Sequence, residues 1–325
     1  MNIAQKMKRE WNLRAQHHAK YWVATENFHD DEEFARSGEK TAQAILSCLQ
    51  SHTDPSWTIL DIGCGIGRVL KPLAHYFQRL VGIDVSGEMI LKSKDWLRGL
   101  NNVETIETSG VDLEPFPDET FDLVYSFVAF QHMPRPVFVR YLEESNRVLK
   151  PHGYLAFQIP IGTTRDTAIE DTVTMRQYSA IELAEELKRC GFESTEHQPA
   201  DSALRHYRPE VPVKTFHLVK KIRTVLHSKN TDWLESECGE TFSMLNTRMY
   251  LWFAEQCLQK GQEDEALRTY QALRTQDPHS LEKWTRTVEI LVQRGKLEEA
   301  KDTLEKLTTA LPTYEALNTL LTIRS

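Results

Sequence analysis

Cysteine is scarce in this 325-residue chain and never paired: Cys48, Cys64, Cys190, Cys238 and Cys257 are scattered, odd in number and form no Cys-x-x-Cys. That spacing argues against a zinc or disulfide framework and fits a reducing cytoplasm. The twelve histidines give neither His-x-x-x-His nor His-x-Glu where the motifs below converge, so no metal is expected. No apolar run approaches the roughly 20 residues of a membrane span. Met1 to Trp11 is basic and polar, without the apolar core of a secretory signal. Positive charge is also in deficit. A net charge of −8 disfavours nucleic acid as the main partner. Arg205 to Lys229 is a basic exception, with Glu210 its single acid, and is read as a solvated strand end and helix face rather than an anion-binding patch.

What is present suits two soluble domains: 40% hydrophobic residues, 26% charged, and a length generous for one core. Thr58 to Ile62 is apolar and β-branched, which predicts a buried strand. Gly63, Gly65 and Gly67 follow, and then Val69, Leu70, Leu73 and Ala74 begin a helical spacing. Strand, glycine turn and helix open a nucleotide-binding α/β sheet, where the backbone must turn sharply and let a ligand approach its amides. A dinucleotide fingerprint would be Gly-x-Gly-x-x-Gly, but Arg68 occupies its third glycine position. The acid at the strand end, Asp61, would repel a pyrophosphate and tolerate a cationic ligand bearing an amino acid.

The run Asp61-x-Gly63-x-Gly65-x-Gly67 resembles the first motif of the class I S-adenosylmethionine-dependent methyltransferases. Further matches follow in order. Leu80 to Asp84 is a second buried strand, and Asp84 lies 23 residues beyond Asp61, a spacing suited to an acid that meets ribose hydroxyls. Ser86 is placed to cap the next helix, and Met89 to lie against an adenine face or in the core. Val103 to Thr108, Phe121 to Phe127 and the strand after Arg147-Val-Leu-Lys-Pro-His-Gly153 continue the sheet. Phe192 to Ala200 and Thr215 to Val219 supply the last two strands, an antiparallel edge in this family, and Ser179 to Gly191 is a helix with Ile181, Leu183, Ala184 and Leu187 as its stripe.

The resemblance implies a seven-stranded Rossmann-like sheet, S-adenosyl-L-methionine as cofactor, and Asp61, Gly63, Cys64, Gly65, Gly67, Asp84, Val85, Met89, Asp112, Leu113 and Ser126 at its site. Asp112 would accept from the adenine amino group. An N-terminal segment often folds over the cofactor, which makes Arg14, Tyr21 and Gly38 ligand contacts or plain packing residues. Ser37 is read as the cap of a helix over Glu39 to Gln50, and Ile161 to Gln177 as the acceptor-facing loop.

Beyond Lys221 the chain repeats itself: Gly261, Ala266 and Pro278 recur 34 residues later as Gly295, Ala300 and Pro312. This resembles the tetratricopeptide repeat, with Thr287 a poor match at an otherwise apolar position, and Tyr314 to Ile323 reads as a further helix. The expected organisation is a helical lid at 1–52, the methyltransferase domain at 53–222, a linker at 223–245 and all-α repeats at 246–325.

Methyl transfer uses an activated donor, so catalysis is mostly alignment, worth roughly 7–11 kcal/mol when reactants are well placed. A base is needed only if the acceptor loses a proton. His132, just past the fourth strand, is the candidate, the alternatives being a helix cap or packing beside the cofactor; His17 and His18 are more remote. Three function classes follow: a methyltransferase acting on oxygen or nitrogen of a small molecule or glycan, a protein methyltransferase docked by the repeats, and a non-catalytic scaffold. The intact acids and glycines argue against the scaffold. No Asn-Pro-Pro-Tyr-like motif stands near Ser126, which argues against nucleic-acid amine acceptors. The tail from Thr231 has 16 acids against 11 bases, so a basic or neutral protein partner, or a second copy of the chain, suits it better than an acidic one.

Overall fold

The computed structural model describes residues 1–24, 30–49, 52–162, 172, 175–195, 214–225, most of 251–276, and 280–311. The chain separates into two compact units, Met1–Glu240 and Thr241–Ser325.

In the first unit, helices α1 (Ile3–Ala24) and α2 (Asp31–Leu49) precede the alternation β1 (Thr58–Ile62), α3 (Leu70–Leu73), β2 (Arg79–Asp84), α4 (Gly87–Trp96), β3 (Val103–Glu107), β4 (Phe121–Ser126), α5 (Arg135–Val148), β5 (Leu149–Pro160), α6 (Ala180–Arg189), β6 (Phe192–Ser194) and β7 (Lys214–Lys221). The strands form one sheet in the order β3-β2-β1-β4-β5-β7-β6. β1 through β5 run parallel, and β7 runs antiparallel to both its neighbours. The antiparallel strand is thus second from the edge, with short β6 outside it. The central strands β1, β2 and β4 are covered on both faces and are mostly apolar. Leu60, Ile62, Val81 and Ile83 pack toward α5 and α6. Ile59, Leu80, Leu123 and Tyr125 pack toward Ala42 and Ile45 of α2 and toward α3. Strand order reverses between β1 and β4, the place where open α/β sheets leave a crevice at their strand ends.

Several local expectations change. α2 starts at Asp31, with Asp31, Glu32 and Glu33 in its first turn, eight residues before the expected start at Glu39. Ser37 is therefore not a cap; it is buried mid-helix and its hydroxyl donates to the Phe34 carbonyl. The helix after the glycine turn is a single turn. β5 begins at Leu149, before Gly153, because His152 takes a left-handed φ of 66° within the strand and lets pairing start early. On α6 the stripe narrows to Leu183 and Leu187; Ile181 is 73% exposed and Ala184 also faces solvent. β6 ends at Ser194 rather than at Ala200. Most of the Ile161–Gln177 loop, most of the basic Arg205–Lys229 stretch, most of the 223–245 linker and the Tyr314–Ile323 helix lie outside the described residues.

α1 is joined to the sheet through polar contacts. Asn12 Oδ1 accepts from the Ser86 hydroxyl (2.8 Å) and from the Glu88 amide (3.2 Å), while Ser86 Oγ accepts from the Met89 amide as the cap of α4. Arg68 donates from NH1 to the Ser37 carbonyl (2.8 Å) and to Thr41 Oγ1 (3.1 Å), fastening the glycine turn to α2.

The second unit holds α7 (Glu263–Gln276), α8 (Leu281–Gln293) and α9 (Leu297–Ala310). Gly261 and Gly295, with φ of 72° and 70°, make the left-handed turns before α7 and α9, and Ala266 and Ala300 are buried one helical turn later. Thr287 is fully buried, and its hydroxyl bonds to the Lys283 carbonyl one turn back (2.8 Å), which is how a polar residue is tolerated there.

Gly38 leaves no room for a side chain: an added Cβ would lie 2.3 Å from the Arg68 carbonyl oxygen. Gly38→Ala is expected to destabilise the first unit by about 1–3 kcal/mol, read as a lower midpoint in chemical or thermal denaturation.

Candidate active site

The glycine turn after β1 is wound against the end of β2. The amides of Gly63 and Cys64 both donate to the Ile83 carbonyl, at 2.8 and 2.9 Å. Gly65 then donates its amide to Asp84 Oδ2 (2.9 Å), and Ser86 donates its own to Asp84 Oδ1 (2.9 Å). Both oxygens of Asp84 are fixed, each with acceptor capacity left over. Glycine is required at the turn because Gly63 and Gly65 have φ of 76° and 56°, and a Cβ on Gly63 would strike Ala129 at 2.4 Å. Asp61, on the strand side shared with Ile59, accepts from the Tyr125 hydroxyl of β4 (2.8 Å).

Above these strand ends lies an open cleft of about 940 Å³, counting space continuous with solvent. It brings together Asp61, Gly63, Cys64, Gly65 and Asp84 with Val85, Met89 and His132. Met89 does two things at once: it lines the cleft and packs on Ala15, Ala19 and Phe34.

Other candidates lie off the lining. Gly67 serves the turn, where a Cβ would meet Leu97. Ser126 donates its hydroxyl to the Ile62 carbonyl. Asp112 accepts from the Ser109 hydroxyl, and the Leu113 amide donates to Glu144. Arg14 is buried beside Glu10 and Thr172, over the ring of Trp11. Tyr21 is buried edge-on to Trp22, and Gly38 packs on Arg68. His132 does not cap α5, whose N-cap is Pro134.

The cleft also contains residues that sequence reasoning passed over. Trp11 and Trp22 of α1 reach it, along with Thr108, Phe127 and Tyr141. Val128 lines it with a φ of 64°, a left-handed conformation that a β-branched side chain rarely adopts. No residue type marks that position in advance. The two tryptophans could have been found from the aromatic character of the opening helix, although the helix kinks at His18 (φ −163°, ψ 72°) and so breaks the periodicity.

Burial governs the electrostatics. It pushes the Asp61 carboxyl up to about 7, with the Tyr125 hydrogen bond opposing and the Asp84 charge adding. It pushes Asp84 up to about 6 against the amides of Ser86 and Gly65. The Cys64 thiol is raised by burial too, which makes it unreactive. Among the described residues no cluster could hold a metal ion. No helix there is long and apolar enough to cross a membrane.

Residues 60–157 match the family model of a methyltransferase domain, and residues 257–322 match that of a tetratricopeptide repeat. The chain is 31% identical over 125 residues to an uncharacterized methyltransferase of Schizosaccharomyces pombe, covering 36% of this chain and 44% of that one. It is 35% identical over 102 residues to the sterol 24-C-methyltransferase of Eremothecium gossypii, covering 30% and 26%. With the phosphoethanolamine N-methyltransferase of Plasmodium falciparum it shares 26% identity over 164 residues, covering 48% and 60%. The chain thus spans between a quarter and three fifths of these relatives' lengths. Among solved structures, the Haemonchus contortus phosphoethanolamine N-methyltransferase 1, in complex with phosphoethanolamine and S-adenosylhomocysteine, superposes with a TM-score of 0.52 at 16% identity, covering 78% of this chain and 55% of that one. The fold is the Rossmann-like methyltransferase sheet, carried on a chain that also bears tetratricopeptide helices.

Because the folded chain keeps protons on Asp61 and Asp84 that the unfolded chain releases near pH 4, these groups make stability fall as pH rises through about 4 to 7. Asp61→Asn removes one such group. Urea denaturation without ligand is expected to show the variant gaining on the wild type as pH is raised across that window, and a constant difference would contradict the burial argument.

Proposed function

We propose that this chain is an S-adenosylmethionine-dependent methyltransferase acting on an oxygen or nitrogen of a small-molecule or glycan acceptor. The observation that carries the reading is the pair of carboxylates on neighbouring strand ends, Asp61 buried and held by Tyr125, Asp84 part-buried and held by the Gly65 amide. Their chemistry fits the cofactor. Asp84 has spare acceptor capacity on both oxygens for two adjacent hydroxyls, and Asp61 offers negative charge toward an ammonium group. Val85 and Met89 supply apolar wall for a base. Bound there, S-adenosylmethionine supplies a methyl carbon on a sulfonium, a group ready to leave its sulfur.

The chain's own part is positioning. Trp11, Trp22 and Phe127 line the cleft with rings and reduce the water around the reacting atoms. His132 lies on the cleft wall, where it takes the proton of an acceptor hydroxyl or ammonium. The four described cysteines are buried and in no disulfide, in keeping with a cytoplasmic setting. A second reading, a protein acceptor docked by the C-terminal helices, is favoured by the tetratricopeptide match at residues 257–322.

Asp84→Ala is expected to weaken S-adenosylmethionine binding by about 1–3 kcal/mol in calorimetry. Wild-type affinity is expected to rise from about pH 5 to 8, with proton release, as Asp84 and Asp61 ionise toward a cationic ligand. Absence of binding, or a preference for NAD, would overturn the assignment.

Transfer of radiolabelled methyl groups to a cell extract, before and after protease treatment, separates small acceptors from proteins. In that assay His132→Gln is expected to lower turnover with little change in cofactor affinity. Deleting residues 246–325 is expected to abolish transfer only if the acceptor is a protein.

A further inference from the structure

The corner of the cleft beside Asp84 is built where three elements meet. Val85 follows Asp84 at the end of β2 and lines the cleft. β3 ends alongside, and the Thr108 amide donates to the Asp84 carbonyl (3.0 Å). The chain then turns at Gly110, with φ of 79°, so close to Val85 that a Cβ there would lie 2.4 Å from Val85 Cγ2. Gly110 also lines the cleft, so backbone without a side chain borders it at this point.

The third element is α5. The Leu113 amide donates to Glu144 Oε2 (3.2 Å), and Arg147 donates from NH2 to the Leu113 carbonyl (2.9 Å). These two bonds fasten the segment after β3 to the helix. Tyr141 stands three residues before Glu144 and is only 1% exposed. Its ring packs in the core beside Phe130, with centroids 6.1 Å apart, yet the residue is part of the cleft lining.

The groups that act on the phenol place its hydroxyl end. Burial pushes its pKa up, the charge on Asp112 adds, the Thr108 hydroxyl opposes and the charge on Asp84 adds again. These neighbours belong to the ends of β2 and β3, so the hydroxyl points out of the core toward the corner beside Val85. It stays O–H at neutral pH. Among the described lining residues only Thr108 and Tyr141 carry hydroxyls, and the Thr108 oxygen is itself covered. The Tyr141 hydroxyl is the one left to meet a ligand.

Its chemistry complements the acids next to it. An ionised carboxylate only accepts hydrogen bonds, whereas a phenol donates. The ring nitrogens of a purine are acceptors and need donors. A base attached to a ribose held by Asp84 lies beside this corner, with Val85 as its apolar wall.

We propose that Tyr141 is a cofactor-binding residue whose O–H donates to a ring nitrogen of the adenine of S-adenosylmethionine. The proposal rests on the methyltransferase reading above and concerns binding alone.

The test is calorimetry on the full chain with S-adenosylhomocysteine and three analogues, in which N1, N3 or N7 of the base is replaced by C–H. One analogue is expected to bind the wild type about five- to tenfold more weakly than the parent, the loss of one hydrogen bond. Tyr141→Phe removes only the hydroxyl. It is expected to weaken the parent by a similar factor and to bind that one analogue as the wild type does, so that this penalty disappears while the other two ratios stay unchanged. Equal weakening of all four ligands in Tyr141→Phe, or no weakening of any, assigns the phenol to packing and overturns the proposal. A wild type that binds all four alike overturns it too. A wild type that binds none of them would instead defeat the methyltransferase reading.

Discussion

The hydrogen bond from the Gly65 amide to Asp84 is the contact on which the rest of the site depends. It closes a turn between two strands that are neighbours in the sheet but are separated in sequence by a helical crossover. That turn can be made only by residues free to adopt positive φ, hence the glycines. With Asp84 held by two amides, its carboxylate has one orientation, and Ser86 begins α4 in register with it. The acid is therefore part of the backbone's own hydrogen-bond accounting before any ligand arrives.

Holding two acids under cover is destabilising, and the surrounding structure offsets the cost locally. Tyr125 donates to Asp61, two amides donate to Asp84, and Arg68 sits near enough to favour the ionised form of Asp61. Arg68 in turn donates to a carbonyl and two hydroxyls of α2.

The parts of this architecture legible in the sequence are those where chemistry leaves little choice. A buried parallel strand must be apolar, a left-handed turn wants glycine, and a helix start wants a hydroxyl: β1, the Gly63–Gly67 turn and Ser86 follow directly. Ser37 shows the limit, because a serine hydroxyl bonds as readily to a carbonyl within a helix as to an amide at its start. Thr287 is the same lesson in the repeats. The lining contributed by α1 was hidden for another reason. Its kink at His18 interrupts the helix between Trp11 and Trp22, both of which line the cleft, whereas Arg14 and Tyr21 are buried. Val128 was invisible altogether, since its conformation is imposed by its surroundings and not by its side chain.

The bonds from Ser86 and Glu88 to Asn12 have a consequence for how the chain is made. Asn12 is synthesised 74 residues ahead of Ser86, so the first helix emerges with nothing to receive it. Its buried charges Lys6 and Glu10 pair with each other within one turn, 2.7 Å apart, a contact that needs no other part of the chain. Only once β2 and the start of α4 have left the ribosome can Asn12 complete the cap beside Asp84. The contact thus waits on residues made 74 positions later.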